Sequence, residues 1–324
     1  VIAVVLFAVP SHHASAATIF TKFHNVVGYT TLHAAFYVFM LGLLMAQYTF
    51  TGYDASAHMS EETHGAAISA PRGIVSSIGI SLIAGWILII AITSVIPNPS
   101  SVAYATIAAN PAAPVLLWEN ALSRVGAELL LLIAVVAQFY CGMASVTANS
   151  RMLYAFSRDG AVPGHRYWHH INPRTRTPTN SIWFCVVFAF ILAVPAKWSG
   201  VAYAAVTSIA TIGLYIAYVL PTLLRRMQGK AWQGGPWSLG KWSPIVGWLG
   251  IIWVAFISVL FMLPTVGLSS LNHDTFNYAP IAVGVVLLFA GGYWLLSARK
   301  WFHGPKVQGS ESDLEQIEAE LAKG

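Results

Sequence analysis

Of the 324 residues, 56% are apolar and only 9% are Asp, Glu, Lys or Arg, and the mean hydropathy is +0.65. Soluble domains carry about a quarter charged residues, so the composition is that of an integral membrane protein and excludes both a disordered chain and a disulfide-stapled secreted scaffold. The pI near 9.2 comes from 17 Lys and Arg against 12 Asp and Glu, a small excess whose placement serves membrane topology rather than nucleic-acid binding.

Val1 to Val9 is apolar but too short to cross a bilayer, and it has no initiator Met, basic region or cleavage site of a signal peptide. It reads as the end of a further span in a sequence that begins in mid-protein. Stretches free of Asp, Glu, Lys and Arg then run over 23–53, 73–118, 129–150, 177–196, 198–224, 242–273 and 275–298. A crossing helix needs about 20 apolar residues, which predicts helices near 33–60, 74–96, 125–150, 179–195, 201–220, 245–266 and 279–298. The fold class expected is an all-α multi-pass membrane protein with seven complete spans and a partial one. Residues 1–300 form its membrane domain and 301–324 a cytoplasmic tail.

The 33–60 segment holds the main candidate site. Its apolar run enters Thr51, Gly52, Tyr53 and Asp54, and the thirty positions from 33 to 62 exceed what a straight crossing needs. Glycine weakens a helix, and Thr and Asp offer the backbone competing hydrogen bonds. A break near 51–54 is therefore expected, with Asp54 capping a second half-helix from about Ala55. Broken backbone at membrane depth lines cavities, and an intramembrane acid is costly enough to mark function. The alternative is an unbroken helix whose Asp54 pairs with another span. Glu61 and Glu62 fall at the interfacial end of this segment.

Two later spans carry polar stripes. Gln138, Cys141, Ser145 and Asn149 share one face of 125–150, and Tyr203, Thr207, Thr211 and Tyr215 share one face of 201–220. Each stripe either lines an aqueous path or hydrogen-bonds to a neighbouring helix. Glu128 lies one turn after Arg124, as a local ion pair would. Gly160 is placed to end a helix that continues 125–150. His165, His169 and His170, and separately His12 and His13, sit in loops and read as solvated. Cys141 and Cys185 lie in apolar runs and read as small hydrophobes. In the tail, Ser312 stands three residues before Glu315, and Leu314, Ile317 and Leu321 share a face, predicting a short amphipathic helix over 308–324.

Orientation follows from Lys and Arg. Arg72, the arginines of 151–176, the cations of 225–241 and those of 299–323 fall on one side; only Lys22, Arg124 and Lys197 fall on the other. The C-terminus is thereby expected in the cytoplasm. No phosphate-binding glycine loop, metal spacing, nucleophile elbow or cofactor motif is present, so an enzyme is not expected. Nor does a repeated filter or ring of charge suggest a channel.

The run Phe50-Thr-Gly-Tyr-Asp-Ala-Ser-Ala-His-Met-Ser-Glu-Glu-Thr63 resembles the broken sixth helix of amino acid permeases in the amino acid–polyamine–organocation superfamily, and most of all the branch of GABA and choline permeases. Ser150 to Gly160, Ala205 to Tyr218 and Trp294 to Pro305 resemble the end of the eighth helix, the tenth, and the last helix with its exit. The resemblance implies a twelve-span inverted-repeat carrier in the cell membrane, of which this chain holds the end of the fifth helix and the sixth to twelfth. It implies secondary transport of an amino acid or GABA-like zwitterion by alternating access, with protons as a coupling ion, or alternatively a choline or polyamine permease; a substrate sensor that does not transport is the rival from another class. By match of position Phe50, Thr51, Gly52, Tyr53, Asp54, Ala55 and Ser56 would form this chain's share of the substrate site. Tyr48 would stand at an aromatic gate, Asp54 would couple gate to substrate, and Ser145 would face the cavity. Gln138 and Thr211, on the polar stripes, complete the candidate set. The partners implied are a small-molecule substrate and the lipid bilayer.

Overall fold

A computed structural model describes residues 1–21, 32–108, 110, 112–266, 271–273, 275–302 and 304. Among them the fold is helical throughout, with no strand beyond an isolated bridge between Asn172 and Thr177. In chain order the α-helices are α1 (Ile2–Ala8), α2 (Ala16–Thr21), α3 (Leu32–Thr49), α4 (Ala55–His58), α5 (Ala66–Ser94), α6 (Val102–Ala108) and α7 (Ala113–Ala121). They continue with α8 (Arg124–Arg158), α9 (His165–Trp168), α10 (Thr179–Ala193), α11 (Gly200–Gln228), α12 (Ser243–Met262) and α13 (Ala279–Leu296). The amphipathic helix expected over 308–324, and most of the 301–324 tail, lie outside the described residues.

Six helical segments are long and apolar enough to cross a membrane, namely α5, α8, α11, α12, α13 and α10 together with the 3-10 turn that carries it to Lys197, and the chain is a multi-pass membrane protein. The seventh expected span is divided: α3 stops at Thr49, and α4 begins after a break at residues 50–54. Several helices outrun their charge-free windows. α8 runs to Arg158 and α11 to Gln228, through Arg225 and Arg226. Backbone hydrogen bonding does not stop where the bilayer does, so a window that ends at the first cation underestimates the helix. At 1.5 Å per residue α8 extends about 52 Å, well beyond a hydrocarbon core of roughly 30 Å.

Local chemistry explains the ends. Ser123 and Ser199 accept from Gly126 N and Ala202 N at the starts of α8 and α11. Gly160, at φ 84°, ends α8 as expected: its N–H reaches Ser157 O at 3.0 Å and Ala161 N reaches Phe156 O at 2.9 Å, the paired bonds of a Schellman motif. Asn277 ties the start of α13 to the end of α12, donating to the carbonyls of Phe261 and Leu263.

Two buried clusters organise the helices. Leu6, Ala91, Leu117, Trp118 and Leu130 join α1, α5, α7 and α8. Ile212, Ile257, Leu260, Phe261 and Ala279 join α11, α12 and α13, with Tyr37, Met40, Leu41 and Leu44 of α3 packed against them. α3 thus belongs to the second group, whereas α4 packs on α5 and α8 of the first. The break between α3 and α4 is where the chain passes from one group to the other.

Candidate functional site

The break is built from backbone outward. Phe50 N closes the last α-helical bond of α3, onto Ala46 O. Thr51 then tightens the chain, its N–H and its hydroxyl both reaching Tyr48 O, at 3.1 and 2.8 Å. Gly52 follows at φ 88°, a left-handed conformation that favours glycine, and the helix cannot continue. Because Thr51 N has turned to Tyr48, the carbonyl of Gln47 loses its helical donor; the hydroxyl of Tyr215 on α11 supplies one at 3.0 Å. The Gln47 side chain accepts from Trp253 Nε1 of α12 at 3.4 Å.

Asp54 stands at the first position before α4, but it does not cap with its side chain. Its backbone is already helical, at φ −76° and ψ −5°, whereas a capping Asp needs extended backbone to aim its carboxylate at the following amides. The carboxylate instead faces two side chains. Tyr218 of α11 donates to Oδ1 at 2.6 Å, and His58, one turn on, meets Oδ2 at 2.8 Å. The same Tyr218 oxygen accepts the N–H of Gly52 at 3.3 Å. Its ring lies 4.6 Å from that of Tyr53 and 6.0 Å from that of Tyr215. One tyrosine therefore holds both sides of the break, and the Asp54 side chain is only 18% exposed.

Ala55 and Ser56 open α4 against α5. A Cβ at Gly73 would lie 3.1 Å from Ser56 Cβ, so the glycine allows this close approach. Beyond α4, a single turn of 3-10 helix carries Glu61 and Glu62 to the far end of α8. There Arg158 and Arg151 each bind one of them through two nitrogens, at 3.0–3.1 Å for Arg158 with Glu61 and at 2.8 and 3.1 Å for Arg151 with Glu62.

A second feature lies one turn back along α3. Tyr48, Tyr203, Thr207, Ser208, Thr211 and Phe261 line a small open cavity of about 140 Å³. The α11 stripe thus divides between its two readings: Tyr203, Thr207 and Thr211 line this space, and Tyr215 makes an interhelical bond. The Thr207 and Thr211 hydroxyls donate back to their own helix, onto Tyr203 O and Thr207 O. Gln138 and Ser145 stand on an exposed face of α8, and Ser145 donates to Cys141 O. They share no hydrogen bond with the residues of the break.

Arg124 and Glu128 form the expected local pair at 2.9 Å. Among the described residues no three His, Cys, Asp or Glu side chains gather as a metal site. Sequence reasoning missed Tyr218, His58 and Gln47 as parts of the site. The i,i+4 spacing of Asp54 and His58 was a usable signal; nothing local announces Tyr218.

The family described as amino acid permease matches residues 1–288. The chain is 45% identical over 314 residues to the amino-acid permease BAT1 homolog of Oryza sativa, covering 93% of this chain and 59% of that one. It is 44% identical over 313 residues to the amino-acid permease BAT1 of Arabidopsis thaliana, covering 94% and 60%. Its identity to the GABA-specific permease of Saccharomyces cerevisiae is 31% over 276 residues, covering 85% and 48%. The chain therefore spans about six-tenths of the length of the two plant relatives. No solved structure matches it.

Proposed function

We propose, for a chain that belongs to the amino acid permease family, that it forms part of a secondary carrier moving an amino acid or a GABA-like zwitterion by alternating access. The observation that carries this reading is the break itself: a helix interrupted at Gly52, with Asp54 held by Tyr218 of another helix. In transporters, interrupted helices present backbone ends to charged substrate groups. The carbonyl end of α3 has the negative sign that suits an ammonium group, and the 50–56 segment is this chain's share of the binding surface. Thr211 and Tyr48 extend that surface through the cavity they share. Gln138 and Ser145 enter it from α8, on the face that this chain leaves open.

Tyr218 bridges Gly52 and Asp54, so α3 and α4 cannot tilt apart across the break without giving up one of its two hydrogen bonds. Asp54 thereby couples the geometry of the break to what binds there. Protons are the proposed coupling ion. The carrier sits in the cell membrane with its arginine-rich face and C-terminus in the cytoplasm, in keeping with the asymmetry of Lys and Arg.

The test is uptake of labelled GABA into vesicles carrying the protein expressed from its full reading frame, with and without an inward proton gradient. Unlabelled amino acids, choline and polyamines serve as competitors. Uptake competed by amino acids and raised by the gradient supports the proposal. Competition by choline or polyamines alone replaces the substrate class, and binding without any uptake replaces the carrier with a sensor.

A further inference from the structure

From residue 160 to residue 273 the sequence contains no Asp or Glu, yet Arg225, Arg226, Lys230 and Lys241 cluster where α11 ends and α12 begins. Among the described residues none of the four has a carboxylate in salt-bridge range. Between these helix ends lies a cleft of about 250 Å³, lined by Arg225, Arg226 and Ser243 together with apolar Val219, Val246 and Val254. The guanidinium of Arg226 is seated rather than free. It donates through Nη2 to the main chain and the hydroxyl of Ser243, and it lies on Gly247, where an added Cβ would come within 2.8 Å of it. Its Nε is buried and has no acceptor. That nitrogen is sealed against Gly247; what calls for an anion is the charge of the four clustered cations, which no carboxylate among the described residues offsets.

The surroundings specify the anion's source. Arg225 lies over the ring of Trp232, 5.6 Å from its centroid. Trp232, Trp237, Leu239 and Trp242 are all exposed beside the cations. Exposed tryptophans next to cations are the composition of a membrane interface, and basic pockets between spans on the cationic side of a membrane protein recognise acidic headgroups. A free phosphate would gain nothing from the valines of the cleft or the tryptophans around it, whereas a phospholipid uses both. We propose that this cleft binds the phosphate of an anionic phospholipid in the leaflet on the arginine-rich side, with the Arg225 and Arg226 guanidiniums that line it supplying the opposing charge. The Tyr53 and Tyr218 rings form another part of the cleft wall, so the lipid would sit directly against the break.

Photo-activatable phosphatidylglycerol, added to the protein in phosphatidylcholine nanodiscs and mapped by mass spectrometry, tests the site. Labelling should concentrate in residues 219–254 and be competed by phosphatidylglycerol but not by further phosphatidylcholine. Arg226→Gln should weaken it by about tenfold, the loss of one charge-assisted contact. Since Arg226 also holds Ser243, Arg225→Gln serves as a second variant that leaves the α12 end intact. Equal competition by phosphatidylcholine, or unchanged labelling in both variants, overturns the proposal. Displacement by inorganic phosphate as effective as by lipid assigns the cleft to a soluble anion. Labelling that appears only after residues 308–324 are removed assigns it to the acidic tail, which carries Glu311, Asp313, Glu315, Glu318 and Glu320.

Discussion

Tyr218 and Asp54 meet in a charge-assisted hydrogen bond of 2.6 Å within the membrane-spanning part of the chain. Bonds of this kind contribute about 1.5–3 kcal/mol, so Tyr218→Phe should lower GABA uptake roughly tenfold or more at unchanged surface expression. Asp54→Asn should abolish uptake, because the amide cannot accept from Tyr218 and engage His58 with the same charge. Uptake at the wild-type rate in both variants would remove Asp54 from the mechanism. Gly52 gives a sharper test of cause. Its φ of 88° carries a penalty of about 1–2 kcal/mol for a residue with a Cβ, but no atom lies within 4 Å of where that Cβ would be. The cost is in the backbone and not in crowding, so Gly52→Ala should impair uptake nearly as much as Gly52→Leu. A large gap between those two uptake rates would point to a steric role instead. The glycine and the acid were legible in the sequence because a break has local chemistry. The tyrosine that holds them was not, since it lies 164 residues from Asp54.

Two elements fix α4 in place. On one side Ser56 nests against Gly73 of α5, so Gly73→Val overpacks the contact and should cost about 1–3 kcal/mol, read as a lower melting temperature in detergent. On the other side the paired bonds of Glu61 with Arg158 and Glu62 with Arg151 hold the end of the broken segment on α8. Both glutamates are more than half exposed, which limits each pair to about 1 kcal/mol or less. Their importance lies in position: they join a four-residue helix, too short to be stable alone, to one of 35 residues. Arg158→Glu should reduce uptake, and the swap Arg158→Glu with Glu61→Arg should restore part of it. If the swap is no better than the single variant, the pair does not hold the segment. The sequence placed the two glutamates at an interface and their partners in a basic loop. It could not pair them, because Arg151 and Arg158 lie 89 and 97 residues from Glu62 and Glu61, and only the packing of α8 beside the broken segment brings them together.

Across the whole molecule, the described helices pack as two groups that exchange the chain at the break. Tilting at Gly52 would move one group against the other, the large-scale counterpart of what Tyr218 restrains locally. Much of the apolar surface faces outward; Leu288 and Leu296 of α13 are 78% and 79% exposed, as a bilayer solvent requires. The distribution of Lys and Arg leads to an expected topology, and a C-terminal tag should be reached by a membrane-impermeant label only after the cell is opened. Labelling of intact cells would reverse the orientation.

The sequence by itself determined the all-helical membrane class, the approximate spans, the break at Gly52 and the end of α8 at Gly160. Each depends on composition or on contacts within a few residues, and such information is local to the chain. The tertiary structure alone decided that Asp54 turns to Tyr218 rather than capping α4, that the α11 stripe splits between a cavity and a hydrogen bond, and that Glu61 and Glu62 meet two particular arginines. Those pairings span 89 to 168 residues, and only the packing of whole helices brings such groups within hydrogen-bonding distance.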